Sequence, residues 1–190
     1  MKPRTSQDTV PPRFHDSMFG GQVSAFSVHP LFALLLCLLL AGPAQLRAAD
    51  GVSEYHVKAA FLAKFPEFVK WPAPGATITV GVLGDDPFGN VLEQMIKVRR
   101  AKRVEELKGC QIIFIARSER GNVGAILAAL AGTGVLTVGE TEDFVKQGGI
   151  IGFTMEGERV RFEINSGAAR RGGLEISSRL LKLATKVTGP

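Results

Sequence analysis

Three short apolar runs decide what this chain can become. Thr77–Leu83 (TITVGVL), Gln111–Ala116 (QIIFIA) and Gly134–Val138 (GVLTV) are rich in β-branched residues and show no polar alternation. A strand with no polar face is buried on both sides, which belongs to a parallel sheet covered by helices. Parallel neighbours need crossover connections, and the intervening stretches are long enough to supply them. Asp86-Pro87 reads as an N-cap and first-turn pair opening a helix through Val91, Leu92 and Met95. Asn122–Ala131 reads as a second helix, and Glu140–Gln147 as a third ending at Gly148-Gly149. Ahead of the first run, Ser53 is placed to cap a helix from Glu54 towards Lys70, with Val57, Phe61, Phe65 and Phe68 on one face beside Leu62 and Val69. Pro66 predicts a kink or a second short segment there, Trp71-Pro72 closes the helix, and Ala73-Pro74-Gly75 is turn chemistry.

The later part changes character. Ile150–Met155 and Arg159–Ile164 are strands joined through Glu156-Gly157-Glu158, an antiparallel hairpin. In the second strand Val160, Phe162 and Ile164 point one way and Arg159, Arg161 and Glu163 the other, so one side faces solvent or a partner. The basic stretch Val98–Val104 predicts an edge strand, and Leu174–Val187 an amphipathic C-terminal helix. The expected fold class is α/β: a layered sandwich with a mixed, mostly parallel central sheet, a β-hairpin in the C-terminal half and flanking helices.

The N-terminus reads as an address. Lys2, Arg4 and Arg13 precede the 12-residue block Leu31–Gly42 (LFALLLCLLLAG), and small residues follow from Ala41 to Ala49. A basic region, a short apolar run and a small-residue exit describe a secretory signal peptide. A membrane anchor needs about 20 apolar residues, and Pro30 and Pro43 bracket far fewer. Residues 1–49 are therefore expected to be a signal peptide with an unusually long basic region, with Met18 as an alternative start, and residues 50–190 the α/β domain. Leu36 precedes Cys37 where a lipoprotein cleavage site wants a small residue. A domain of 141 residues buries roughly 68–70% of its unfolded surface and needs no staples.

Little chemistry is available to that domain. It holds one histidine, His56, and one cysteine, Cys110, so no internal disulfide can form, and ligands for a zinc site are lacking. Cys110 opens an apolar run and reads as a small hydrophobe at a strand start; the other reading is a reactive or intermolecularly paired thiol. Nucleophilic catalysis needs a base beside its nucleophile, yet His56 lies far in sequence from Cys110 and from Ser177-Ser178. The domain has 19 basic and 16 acidic residues. Its one basic concentration, Arg99 to Arg103, runs straight into Glu105-Glu106 without aromatic residues, which is a solvated face and not a nucleic-acid site. The loop Gly84-Asp85-Asp86-Pro87-Phe88-Gly89 has the glycine spacing of a P-loop, but Asn90-Val91 stand where Lys and Ser or Thr should follow. It lacks the dinucleotide fingerprint as well, and no third Asp supports a phospho-acceptor site. Capping by Asp86 is one reading; the other is a small-ligand site at the carboxyl ends of the strands near Asp85, Asp86 and Phe88.

Taken in order, these segments resemble the YfiR-like family of periplasmic regulators over nearly all of Tyr55 to Val187. The resemblance is carried by Tyr55-His56-Val57-Lys58-Ala59-Ala60-Phe61 through Phe68-Val69-Lys70-Trp71-Pro72, by Val82 to Gly89, by Gly109 to Ile115 and by Val135 to Val138. Gly148-Gly149-Ile150-Ile151, Arg161-Phe162-Glu163-Ile164-Asn165 and Gly173 to Leu181 complete it. It implies a soluble, often dimeric periplasmic α/β protein without catalysis or cofactor. It also implies a regulator that binds the periplasmic sensor part of an inner-membrane diguanylate cyclase and restrains it. The residues then expected to meet the partner are Arg161, Glu163, Asn165, Arg170 and Arg171. Two departures stand out: the segment Val91 to Leu107 is shorter than the family usually has, and redox control through several cysteines does not carry over to a chain that keeps Cys110 alone.

Overall fold

The computed structural model describes residues 46–72 and 77–189. The leucine block with its flanks up to residue 45, and the turn Ala73-Pro74-Gly75, lie outside the described residues. Helix α1 (Leu46–Lys64) begins before Ser53, so that serine stands inside the helix and not at its start; Leu46-Arg47-Ala48-Ala49 are all strong helix formers. Its buried stripe is Lys58, Ala59 and Leu62, with Tyr55 half-buried, while Val57 is 41% exposed. The core-facing stripe is thus rotated by one position from the expected face. Pro66 sits at the start of a separate 3-10 turn, Phe65–Phe68, where its missing N–H costs nothing. Strand β1 (Val69–Lys70) follows and pairs antiparallel with β8 (Glu175–Ile176).

The main sheet has seven strands in the order β3-β2-β4-β5-β6-β7-β9. They are β2 (Thr79–Leu83), β3 (Lys97–Ala101), β4 (Ile112–Ile115), β5 (Leu136–Gly139), β6 (Ile151–Glu156), β7 (Arg159–Asn165) and β9 (Lys186–Thr188). The strands from β3 to β6 run parallel, β7 is antiparallel to β6, and β9 is parallel to β7. Strands β2, β4 and β5 are buried at every residue, the pattern their unbroken apolar runs demanded. The basic stretch forms β3 at the sheet edge, so the shortened segment retains its strand. Hairpin partners Glu156 and Arg159 leave a two-residue loop, with Gly157 at φ 60°, as a primed hairpin turn requires.

Helices cover both faces. On one, α1, Phe65 and Leu174 pack over Val82, Phe114, Val138, Phe153 and Phe162. Phe61 meets Phe162 edge-on at 5.3 Å, and Phe65 meets Phe162 at 5.7 Å; such pairs add about 0.5–1.5 kcal/mol beyond their buried area. On the other face α2 (Val123–Leu130) and Leu107 cover Leu83, Ile113 and Ile115 together with Cys110 and Phe144. Cys110 is buried at the start of β4.

Two expected helices are not α-helices, and a third is one only in part. Asp86 caps only the Phe88 N–H, at 2.8 Å, and the chain to Ile96 proceeds in turns, because Gly89 takes a left-handed φ of 56° that ends any helix there. Glu140–Gln147 likewise winds through turns, with Asp143 left-handed at φ 56°. Phe144 dominates that loop, its ring pressed so closely on Gly139 and Gly149 that a Cβ on either would lie within 2.4 Å of it. The C-terminal segment divides into β8, a short α4 (Ser178–Leu183) capped by Ser177, and β9. The Thr185 N–H donates to the Phe162 carbonyl at 2.9 Å; satisfying the free edge of β7 competes successfully with continuing the helix.

Candidate functional site

A buried charge cluster sits at the carboxyl ends of the parallel strands. Lys58, on the core side of α1, places its ammonium 2.6 Å from Glu140 Oε2, and both side chains are 2% exposed. Glu140 stands there because β5 ends at Gly139 and the next residue projects over the strand terminus. Lys58 also pairs with Glu54, one turn earlier on α1, and lies 4.7 Å from the Tyr55 ring centroid. Tyr55 donates its hydroxyl to Glu140 at 3.2 Å. Burial, reinforced by the negative charge of Glu140, pushes the tyrosine pKa up to about 12. A buried ion pair repays its desolvation only when its remaining hydrogen-bonding capacity is met, and here Glu54, Tyr55 and the ring face meet it.

Beyond this pair lies a cavity of about 600 Å³, lined by Lys58, Arg117, Arg120, Glu140, Thr141 and Phe153 among others. It exists because β5 stops at Gly139, opposite Gly152 of β6, while β6 continues to Glu156. Arg117 Nη2 stands 3.7 Å from Glu140 Oε2, too far for a hydrogen bond. A second, wider groove of about 860 Å³ runs along the amino ends of the strands past Trp71, Ile78, Leu107 and Cys110.

The residues expected to meet a partner fall into two groups. Arg161 and Glu163 share one face of β7, opposite Thr154 and Gly152 of β6; Arg161 is exposed and ion-paired to Glu156 at 3.0 Å. Lys186 of β9 lies in register with Glu163. Asn165 works inside the fold instead: its Oδ1 accepts the Ala168 N–H at 2.9 Å, capping α3 (Ser166–Arg171), and its Nδ2 donates to the Val145 carbonyl at 2.9 Å. Arg170 and Arg171 occupy the exposed last turn of α3, Arg170 donating to the Gly189 carbonyl at 3.0 Å.

Of the ligand-site residues, Asp85 and Asp86 flank a shallow depression with Arg100 and Lys102. Asp86 pairs with Arg100 at 2.6 Å, and Asp85 with Lys102. Phe88 is not with them: it is buried in the core, 4.8 Å from the Phe114 ring centroid. The crevice between β2 and β4 is closed by the Asp85 N–H donating to Ser118 Oγ at 2.9 Å. The basic stretch is neutralised locally, with Arg99 on the Lys108 carbonyl, Arg100 also on Glu93, and Arg103 on Glu106.

Residues 55–185, well over half of the chain, match the model of the YfiR/HmsC-like family. The chain belongs to that family. The family is known for periplasmic regulators in cyclic di-GMP signalling. Among solved structures, a conserved domain protein from Vibrio cholerae O1 biovar eltor superposes with a TM-score of 0.53 at 12% identity, over 70% of this chain and 60% of that one. An ABC domain in complex with L-Trp from Streptococcus pneumoniae superposes with a TM-score of 0.53 at 11% identity, over the same shares. The YfiR/HmsC-like chain thus spans 60% of the length of each, and these likenesses establish the α/β fold alone. No helix among the described residues is long and apolar enough to cross a membrane.

Lys58, Glu140, Tyr55, Arg117 and Arg120 were not singled out by sequence. One signal was present. Tyr55, Lys58, Leu62 and Phe65 recur at helical spacing, which puts a lysine on a core-facing stripe and demands a buried acid somewhere.

Proposed function

We propose that this YfiR/HmsC-like protein is a non-catalytic periplasmic regulator, delivered by its N-terminal signal peptide. It binds the periplasmic part of an inner-membrane diguanylate cyclase and holds that enzyme inactive. The observation that supports this most is the outer face of β7. The second helical layer covers β2 and β4, and Phe144 covers Gly139 of β5, but Thr154, Arg159 and Arg161 of the hairpin stay exposed beside Lys186 of β9. A charged strand face of this kind sets register and excludes wrong partners. Arg170 and Arg171 at the end of α3 extend it with positive charge.

Restraint follows if the chain binds the inactive sensor conformation better than the active one. Moving a cyclase from almost fully active to almost fully inactive needs about a 10⁴-fold difference in affinity between the two states. Removing this protein from its native cell then raises cyclic di-GMP. Supplying the wild-type protein restores the low level, and supplying a correctly folded Arg161→Ala/Glu163→Ala variant does not. An unchanged cyclic di-GMP level on removal defeats the reading, and full restoration by the double variant defeats the assignment of the face.

A further inference from the structure

The cavity at the carboxyl ends of β4, β5 and β6 is built for a ligand. We propose that it binds a small organic monocarboxylate with an apolar body, at a site that adjoins the partner face through Thr154 of β6. Two arginines leave the 3-10 turn Arg117–Glu119 and the residue after it at the cavity mouth. Arg117 comes no nearer than 3.7 Å to a carboxylate, and the Arg120 guanidinium has no hydrogen-bond or ion-pair partner among the described residues. This contrasts with Arg100 and Arg103, each engaged by an acid at 2.7 Å or less. Guanidiniums that make no side-chain hydrogen bond, Arg117 only loosely paired with Glu140 at 3.7 Å, suit the planar, two-oxygen geometry of a carboxylate.

Two further observations shape the ligand. Thr141 lines the cavity, and its Oγ1 is buried without a partner, an unmet hydrogen bond that a ligand polar atom would complete. The wall formed by β6 is apolar: Phe153 is buried, while Met155 is 44% exposed, an arrangement that accepts a hydrocarbon or aromatic body. Charge sets the ligand's valence. Among the lining residues Lys58, Arg117 and Arg120 carry three positive charges and Glu140 and Glu142 two negative ones, and the one positive charge left over is matched by a single carboxylate. That favours a carboxylate over a phosphate.

Phenylacetate is a suitable probe, titrated calorimetrically into the purified protein beside phenylacetamide, its neutral isostere, and inorganic phosphate. Phenylacetate is expected to bind saturably, with the amide at least tenfold weaker and phosphate weaker still. Arg117→Gln and Arg120→Gln should each weaken phenylacetate at least tenfold, and Thr141→Val severalfold. Both arginines are exposed, so these variants keep the wild-type unfolding midpoint, which reports that the fold is intact. Absence of saturable phenylacetate binding, equal binding of the amide, tighter binding of phosphate, or full affinity in both arginine variants would each overturn the proposal. Cyclic di-GMP restraint does not enter these readouts, so the two conclusions fail independently.

Discussion

Replacing Lys58 by Met isolates a negative charge in the core. In the wild type the Glu140 carboxylate, 2% exposed, is held by the Lys58 ammonium at 2.6 Å and the Tyr55 hydroxyl at 3.2 Å. After the substitution it keeps Tyr55 and an arginine 3.7 Å away. Removing one member of a buried pair costs about 3–5 kcal/mol, against a total stability of roughly 5–15 kcal/mol for a domain. With a urea dependence of about 1–3 kcal/mol per molar, the unfolding midpoint falls by on the order of 2 M. Trp71 is the sole tryptophan, so its fluorescence, read beside far-UV circular dichroism, follows the transition. The double variant Lys58→Met/Glu140→Leu removes both charges, and an apolar replacement of a buried pair is often neutral or better; it should regain most of the loss. A cost under about 1 kcal/mol for Lys58→Met, or a double variant no more stable than the single, would refute the view that the carboxylate is sequestered and dependent on its lysine.

Other consequences can be measured directly. Tyr55 is the sole tyrosine, and absorbance at 295 nm should show it titrating near 12 in the folded protein and near 10 in urea. The unfolded chain then releases this proton first, so the contribution to stability is intact below pH 10 and declines between pH 10 and 12; a native midpoint near 10 would contradict the burial of Tyr55 against Glu140. Gly149→Ala places a Cβ 2.1 Å from the buried Phe144 ring and should cost about 1–3 kcal/mol or more in urea unfolding. Gly121→Ala, which meets nothing within 4 Å, should leave the midpoint nearly unchanged. Burial pushes the Cys110 thiol pKa up, with Arg99 opposing weakly, so in a Cys37→Ser chain a thiol reagent should react at the unfolding rate and not at the rate of an exposed cysteine.

The parts of this fold legible in sequence are those written locally. β-Branched runs without polar residues became β2, β4 and β5, and the alternation of Arg159 to Ile164 became a strand with one buried side. What escaped depends on distant neighbours. Helix signals at Asp86-Pro87 and Glu140 were real, but left-handed Gly89 and the seating of Phe144 between Gly139 and Gly149 overrode them. Val187 matched the apolar stripe of a helix and instead pairs with Ile164, because an open sheet edge lay within reach. Pairing of β1 with β8 joins residues about a hundred positions apart, which no local pattern announces. The Lys58–Glu140 pair is of the same kind: the lysine's helical face was readable, but its partner lay 82 residues away.

The central claim is that the protein acts by contact with a membrane signalling enzyme through the β7 face. Its most direct test is affinity capture from cross-linked inner membranes, comparing the tagged wild type with the Arg161→Ala/Glu163→Ala variant by quantitative mass spectrometry. The account predicts that the wild type retains an inner-membrane protein carrying a periplasmic sensor and a cyclase domain, and that the variant retains at least tenfold less. Recovery of the chain alone, or equal recovery by both proteins, would contradict it.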